Sequence, residues 1–353
     1  MPTLAPPRPL VEGPSAWTGG DLRGREDQWM YHLSAAEIAE IQAATAAVRD
    51  RGLPLAEIRR SDFPLPQFGP VLDRIRDEIL NGRGFVLIRG LPVEGRSTED
   101  SATSYWGIGA YLGKPRSQNA KGHLLGHVRD LGLATSDPNV RTYQTTERQH
   151  FHTDSCDIVG LLCLRPAKRG GLSSITSSMA IYNVMARQRP DLVARLFKPF
   201  PTDRRGEVPE GKKPYFQIPV YNDHGGHLSV IYSRPYINSS QRFPDAPRLA
   251  PEDVEALDCF DTLANDPELR LDMTLEAGDM QFLHNHTILH DRTAFEDWPE
   301  PEKKRHLLRL WLAAPGARPL APVYAERYGS LTVGDRGGII CPGTRLHAPL
   351  EPV

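Results

Sequence analysis

The sequence predicts a mainly β fold with flanking helices: a double-stranded β-helix of the jelly-roll, cupin-like kind. Three observations predict it. Helical periodicity runs through the N-terminal part of the chain. From about His123 onward the sequence breaks into many short apolar runs divided by Gly, Pro and Asp, the pattern of strands and turns. No repeat of roughly 20 to 50 residues and no low-complexity linker interrupts the 353 residues, so neither a solenoid nor a string of domains is expected. Many short strands bury their apolar faces by pairing two sheets, and helices fed in from one end cover the outside. The expectation is one domain over 1–353, with 1–82 an N-terminal arm and helices packed on a core that occupies 83–353 with helical insertions.

Taken in order, the first 30 or so residues are rich in Pro and Gly and read as an irregular arm. Ser34 is placed as an N-cap, and AAEIAEIQAATAAVRDRG as a helix stopped at Gly52. Gly69 to Asn81 sets Val71, Leu72, Ile75, Ile79 and Leu80 at helical spacing, and Gly82 and Gly84 end it. Phe85–Ile88 is short and apolar before Gly90, a buried strand. A third helix is expected over Glu99–Leu112. Strands follow at Asp157–Leu164, Leu172–Thr176, Tyr215–Tyr221, Leu228–Tyr232, Leu271–Leu275, Met280–Leu283 and Leu307–Ala313, with helices at Met179–Arg189 and Glu252–Ala264. Phe197–Lys213 carries both charge signs and reads as a solvated loop, a mobile lid being the rival reading. QRFPDAPRLAPED reads as a surface connection.

Bulk properties exclude several classes of function. A formal net charge of −2, with both signs spread along the chain, offers no field for nucleic acid or an anionic membrane. No apolar run reaches the roughly 18–20 residues that cross a bilayer, and MPTLAPPRPLVEGPSAW lacks the pattern of a secretory signal. Cys156, Cys163, Cys259 and Cys341 form no CxxC pair, so a reducing cytoplasm and a small-molecule partner are expected.

The chemistry gathers in three places. In QHFHTD, residues two apart share a side of an extended chain, so His152 and Asp154 point together, and His150 joins them if the strand stays regular. The run EAGDMQFLHNHTILHDRTAF brings His284, His286 and His290 onto one alternating face. RHLLRLWLA places Arg305 and Arg309 together on an apolar strand, where buried guanidiniums need anions to meet. Trp311 and Phe282 read as core aromatics.

These residues carry a resemblance to the taurine dioxygenase/TfdA-like family. It begins near GFVLIRGLPV, continues through GKPRSQNAKGHLLGHVRDLG and RPAKRGGLSS, and ends beyond RHLLRLWLA. The resemblance implies an iron(II)- and 2-oxoglutarate-dependent oxygenase that uses O2, with His152, Asp154 and His290 as metal ligands. Two imidazoles and a carboxylate on one face of an octahedral ion leave positions for cosubstrate and oxygen. By matching position to position, Arg305 holds the far carboxylate of 2-oxoglutarate, a pairing suited to a planar guanidinium. Ser173 falls where the family often has a threonine, and the hydroxyl is kept. Arg309 matches a position that contacts an anionic substrate in some members. Asn119, with His123 and His127, lies in a segment that lines the substrate pocket on this reading. An intact Asp154 argues against halogenation, because halogenating relatives replace that carboxylate with a small residue.

The implied reaction is hydroxylation of an unactivated C–H bond in a small organic, anionic substrate. The family also implies dimers or tetramers. Desaturation or cyclisation at the same centre, a non-catalytic jelly-roll binding or sensing protein, and a zinc hydrolase are the rivals. His150, His284 and His286 are read as structural or supporting residues beside the ligands.

Overall fold

The computed structural model describes residues 7–133 and 141–352. Its first three long helices form where the periodicity places them. Helix α1 (Ala35–Asp50) begins at Ser34, whose hydroxyl accepts from the Glu37 amide while the Glu37 carboxylate accepts from the Ser34 amide at 2.8 Å. That reciprocal cap satisfies two otherwise orphaned donors. Helix α2 (Phe68–Asn81) buries Leu72, Ile75 and Ile79, and α3 (Thr98–Leu112) is capped by Ser97.

Ten strands build the core: β1 (Met30–His32), β2 (Phe85–Arg89), β3 (Leu125–Val128), β4 (Gln149–His152), β5 (Ile158–Arg165), β6 (Ser173–Ser177), β7 (Arg270–Met273), β8 (Met280–His284), β9 (Ile288–Arg292) and β10 (His306–Ala313). The larger sheet runs β1-β2-β8-β5-β10, with β3 and the short strand Lys114–Pro115 both pairing with β10. The smaller sheet is β7-β6-β9-β4, antiparallel throughout. Alternation sorts each strand between two apolar layers. Val86, Ile88, Leu308, Leu310 and Leu312 pack towards α1–α3. Phe85, Leu87, Leu307 and Trp311 face the space between the sheets, where they meet Ile175 and Ile288. A second helical layer, α4 (Ser178–Gln188), α5 (Pro190–Leu196) and α6 (Pro251–Ala264), covers the other side of the smaller sheet through Phe151 and Leu289.

The jelly roll and its outer helices match the expected fold class. Two local expectations are corrected. The N-terminal arm is not wholly irregular: β1 comes from it and pairs in parallel with β2, so the larger sheet spans the expected 82/83 divide. The solvated loop expected over 197–213 contains a strand, Pro199–Asp203, paired with Tyr215–Pro219. Pro199 and Pro201 hid it, because proline removes a ladder donor; a two-stranded ribbon consists only of edges and tolerates that.

Candidate metal centre and its cavity

Strand pairing assembles the centre. His152 ends β4 and His290 sits in the middle of β9, directly opposite in register. Their ring centroids lie 4.1 Å apart. The chain leaves β4 at Thr153 and returns Asp154 to the same point, with its carboxylate oxygens 3.7 Å from His152 Nε2 and 3.8 Å from His290 Nε2. One ligand atom from each of the three residues lies within 4.8 Å of the others, and all three side chains are largely buried. Among the described residues no other group of three His, Cys, Asp or Glu meets in this way.

The surroundings fix which atoms face inward. The His150 carbonyl accepts from His152 Nδ1 at 2.8 Å, which leaves Nε2 as the acceptor; it faces Asp154 and also lies 2.9 Å from the Gln149 amide nitrogen. Trp311 Nε1 donates to Asp154 Oδ2 at 2.7 Å, and the Asn285 amide oxygen accepts from the Asp154 backbone N–H at 3.0 Å. Burial works against ionisation of Asp154, but Arg309, both imidazoles and the Trp311 hydrogen bond outweigh it and hold the carboxyl below its ordinary pKa. Burial, with His152 alongside, pushes His290 down to about 3, so its imidazole is neutral at pH 7. Two imidazoles and an ionised carboxylate are the donor set of a facial-triad iron site, and the residues fit that ion.

One step along β9, Arg292 shares the inward side with His290, and Ser173 of β6 stands directly across from it. Arg305, just before β10, reaches the same region. Its guanidinium carbon is 5.2 Å from the Phe295 ring centroid, and that of Arg292 is 4.8 Å from it. Both arginines are buried, and among the described residues neither side chain has a carboxylate at ion-pair distance. Arg305 Nη1 and both Nε and Nη1 of Arg292 make no hydrogen bond. Burial lowers Arg305 to about 10; burial and the charge of Arg305 lower Arg292 to about 9. Both remain cations at neutral pH, and unpaired buried cations cost several kcal/mol each. The pair fits the far carboxylate of 2-oxoglutarate, with Arg292 about two strand residues, or ~7 Å, from His290.

A cavity of about 150 Å³ opens in front of His152 and Asp154, walled by Ile218, Val220, Ile231 and Ile237. His290 and Arg305 lie off its lining. Arg309 lines it, donating from Nε to Gln118 Oε1 at 2.7 Å and from Nη1 towards Asp154 Oδ2 at 3.5 Å. Asn119 lies off this cavity: its side chain accepts from the His123 amide at 3.3 Å and lines a neighbouring cavity of about 20 Å³, while the adjacent Gln118 lines both. His123 and His127 accompany Asn119 there. His150 is exposed. His286 donates from Nε2 to Asp157 at 2.9 Å, and His284 is buried beside it, so neither joins the centre. Trp311 is the core aromatic expected, and its indole N–H also reaches Asp154. Arg292 and Gln118 escaped the sequence reading; the HDR spacing of His290 and Arg292 is the one signal that points to the former.

The comparisons with known proteins agree with this geometry. The family described as taurine catabolism dioxygenase TauD, TfdA matches residues 50–311. FR-33289 synthase of Streptomyces rubellomurinus (strain ATCC 31215) is 32% identical over 317 residues, covering 87% of this chain and 91% of that protein. Taurine hydroxylase-like protein SAT17 of Stachybotrys chartarum is 33% identical over 305 residues, covering 84% and 77%. Among solved structures, an asparagine oxygenase with Fe(II), 3-hydroxyasparagine and succinate superposes with a TM-score of 0.62 at 16% identity, over 80% of this chain and 93% of that one. At that identity the last likeness concerns the fold.

Proposed function

Since the chain belongs to the TauD/TfdA family and is an iron(II)- and 2-oxoglutarate-dependent dioxygenase acting on a small organic molecule, we propose that His152, Asp154 and His290 hold its iron. Arg305, with Arg292 and Ser173 beside it, holds the far carboxylate of 2-oxoglutarate. When bound, iron and cosubstrate supply the oxidising chemistry: O2 is consumed, 2-oxoglutarate becomes succinate and CO2, and one oxygen atom enters a substrate C–H bond.

The protein's own residues prepare that event. The His150 carbonyl and Trp311 orient two of the ligands, which removes reorganisation from the reacting complex. The aliphatic wall of Ile218, Val220, Ile231 and Ile237 receives a carbon skeleton and excludes water from it. Arg309, 3.5 Å from Asp154 and 4.7 Å from the Tyr143 ring centroid, contacts the substrate at the metal end of the cavity. The observation that carries the reading is the convergence of three ligand atoms beside two buried, unpaired guanidiniums.

Metal-free protein titrated anaerobically with Fe(II) and 2-oxoglutarate should develop the weak visible charge-transfer band of the chelate. Asp154→Ala and Arg305→Ala should both weaken it. Folded wild type without a band would overturn the assignment. Product mass then separates hydroxylation, a gain of one oxygen, from desaturation, a loss of two hydrogens. Among the described residues no helix is long and apolar enough to cross a membrane. The four cysteines are free, which supports a reducing, cytoplasmic setting. Association into a homo-oligomer remains part of the proposal, for light scattering to test.

A further inference from the structure

We propose that the substrate carries a dianionic phosphoryl group, a phosphate ester or a phosphonate, and that Arg205 and Arg327 bind it. The inference rests on the reading above and names the chemical class that the cavity selects.

Charge on the cavity wall is one-sided. Among the described residues, Arg141, Arg148, Arg205, Arg309 and Arg327 line it, against the carboxylates of Asp154 and Glu207. Arg148 is taken by Asp291 at 2.8 Å and Arg141 by Glu207 at 2.5 Å. Asp154 serves the metal. Iron(II), Asp154 and doubly charged 2-oxoglutarate together carry a single negative charge, and they face Arg292 and Arg305. Among the described residues, no carboxylate on the cavity wall is left for Arg205 or Arg327.

Both side chains are held ready. Arg327 Nε donates to Ser155 Oγ at 2.7 Å, next to the ligand Asp154, and its guanidinium carbon is 5.7 Å from the Phe216 ring centroid. Arg205 places its guanidinium carbon 5.5 Å from the Tyr236 ring centroid, and Arg141 lies 5.4 Å from the same ring. Arg205 Nη1 reaches Ser239 Oγ only at 3.4 Å, and its buried Nε has no partner.

The backbone supplies an independent observation. Arg205 has φ +55°, the one non-glycine residue with positive φ among those described. L side chains avoid that region, and glycine adopts it freely. Asp203 Oδ1 accepts the Arg205 amide at 2.7 Å and pins the turn. A long cationic side chain kept where glycine would relax the chain points to work done by the side chain. A monoanion would leave at least one of the two guanidiniums without a full counter-charge. A tetrahedral dianion offers three oxygens to two planar forks.

Calorimetry on the full chain loaded with Fe(II) and 2-oxoglutarate, without oxygen, tests this with propylphosphonate, propyl phosphate, propanesulfonate and butyrate. Both phosphoryl probes should bind at least about tenfold more tightly than the two monoanions. Whichever of the pair binds better identifies the ester or the phosphonate. Arg205→Met and Arg327→Met should each weaken that binding about tenfold to a hundredfold. Arg205→Gly should lose the binding equally while its thermal midpoint holds or rises. Monoanions binding as tightly, or Arg205→Gly binding like wild type, would overturn the inference. Loss of the chelate band in wild type with Arg205-dependent phosphoryl binding retained would sink the metal assignment and leave this one standing.

Discussion

Trp311 shows how a residue changes meaning once its neighbours are known. In sequence it is one aromatic in an apolar strand; in the fold its indole N–H is the closest donor to the Asp154 carboxylate. Trp311→Phe keeps the ring packing and removes only that donor. We expect iron(II) affinity to fall about tenfold to a hundredfold, with stability changed by less than ~1.5 kcal/mol. Competition against a chelator under anaerobic conditions reads the first quantity, and an unchanged affinity would deny Trp311 any part in holding the ligand. Arg292 makes the opposite trade. Replacing it with Met removes one of two mutually repelling buried cations, so the apo protein should melt at a higher temperature while 2-oxoglutarate binds more weakly. A fall in both would mean that Arg292 is structural. The proposed metal ligands were legible as a group because His152 and Asp154 are neighbours in sequence and His290 matches a family pattern; what the fold adds is that the three converge. Trp311 and Gln118 were not, since their partners lie 157 and 191 residues away.

At the scale of elements, α3 illustrates a sequence that contradicts local propensity for the sake of packing. Its Tyr-Trp-Gly-Ile-Gly-Ala run places Gly107 and Gly109 inside the helix, each costing about 1 kcal/mol relative to alanine. A Cβ at Gly107 would stand 2.4 Å from the Phe63 ring, and one at Gly109 would stand 2.7 Å from Leu310 Cδ1. Gly109 lets α3 settle onto β10, the strand that carries Arg309 and Trp311, and Gly107 makes room for the Phe63 ring. Gly107→Ala should therefore destabilise the protein by about 1–3 kcal/mol despite its better helix propensity, read as a lower denaturant midpoint at unchanged slope. A rise in midpoint would show that propensity governs there. Helices and strands with clean periodicity were legible to within a residue or two. Pro199–Asp203 was not, because its edge position is a fact of the assembled fold, and neither was the entry of β1 into the larger sheet.

Across the whole molecule, a chain of hydrogen bonds ties the C-terminal segment to the larger sheet and makes the fold acid-sensitive. The Arg165 guanidinium, which only donates, meets His306 Nδ1 at 3.2 Å. The His306 proton must then lie on Nε2, donating to His127 Nδ1 at 2.8 Å, and His127 Nε2 donates to the Pro349 carbonyl at 2.9 Å. Burial lowers His306 to about 3, with His127, Arg165, Arg129 and Arg305 adding to the effect; burial also lowers His127. An unfolded histidine titrates near 6.5. Between about pH 3 and 6.5 the unfolded chain therefore binds the proton that the folded chain refuses, and stability falls as pH falls. The expected slope from His306 alone is on the order of 1.4 kcal/mol per pH unit within that window. His306→Leu should be less stable at pH 7, because it strands Arg165 and His127, yet its midpoint should fall less steeply on acidification. Because His347 accepts the Leu124 amide at 2.8 Å, hydrogen exchange at Leu124 should quicken in acid before the core opens. Equal slopes for wild type and variant, with Leu124 protected down to the global transition, would place the acid-sensitive groups elsewhere in the protein.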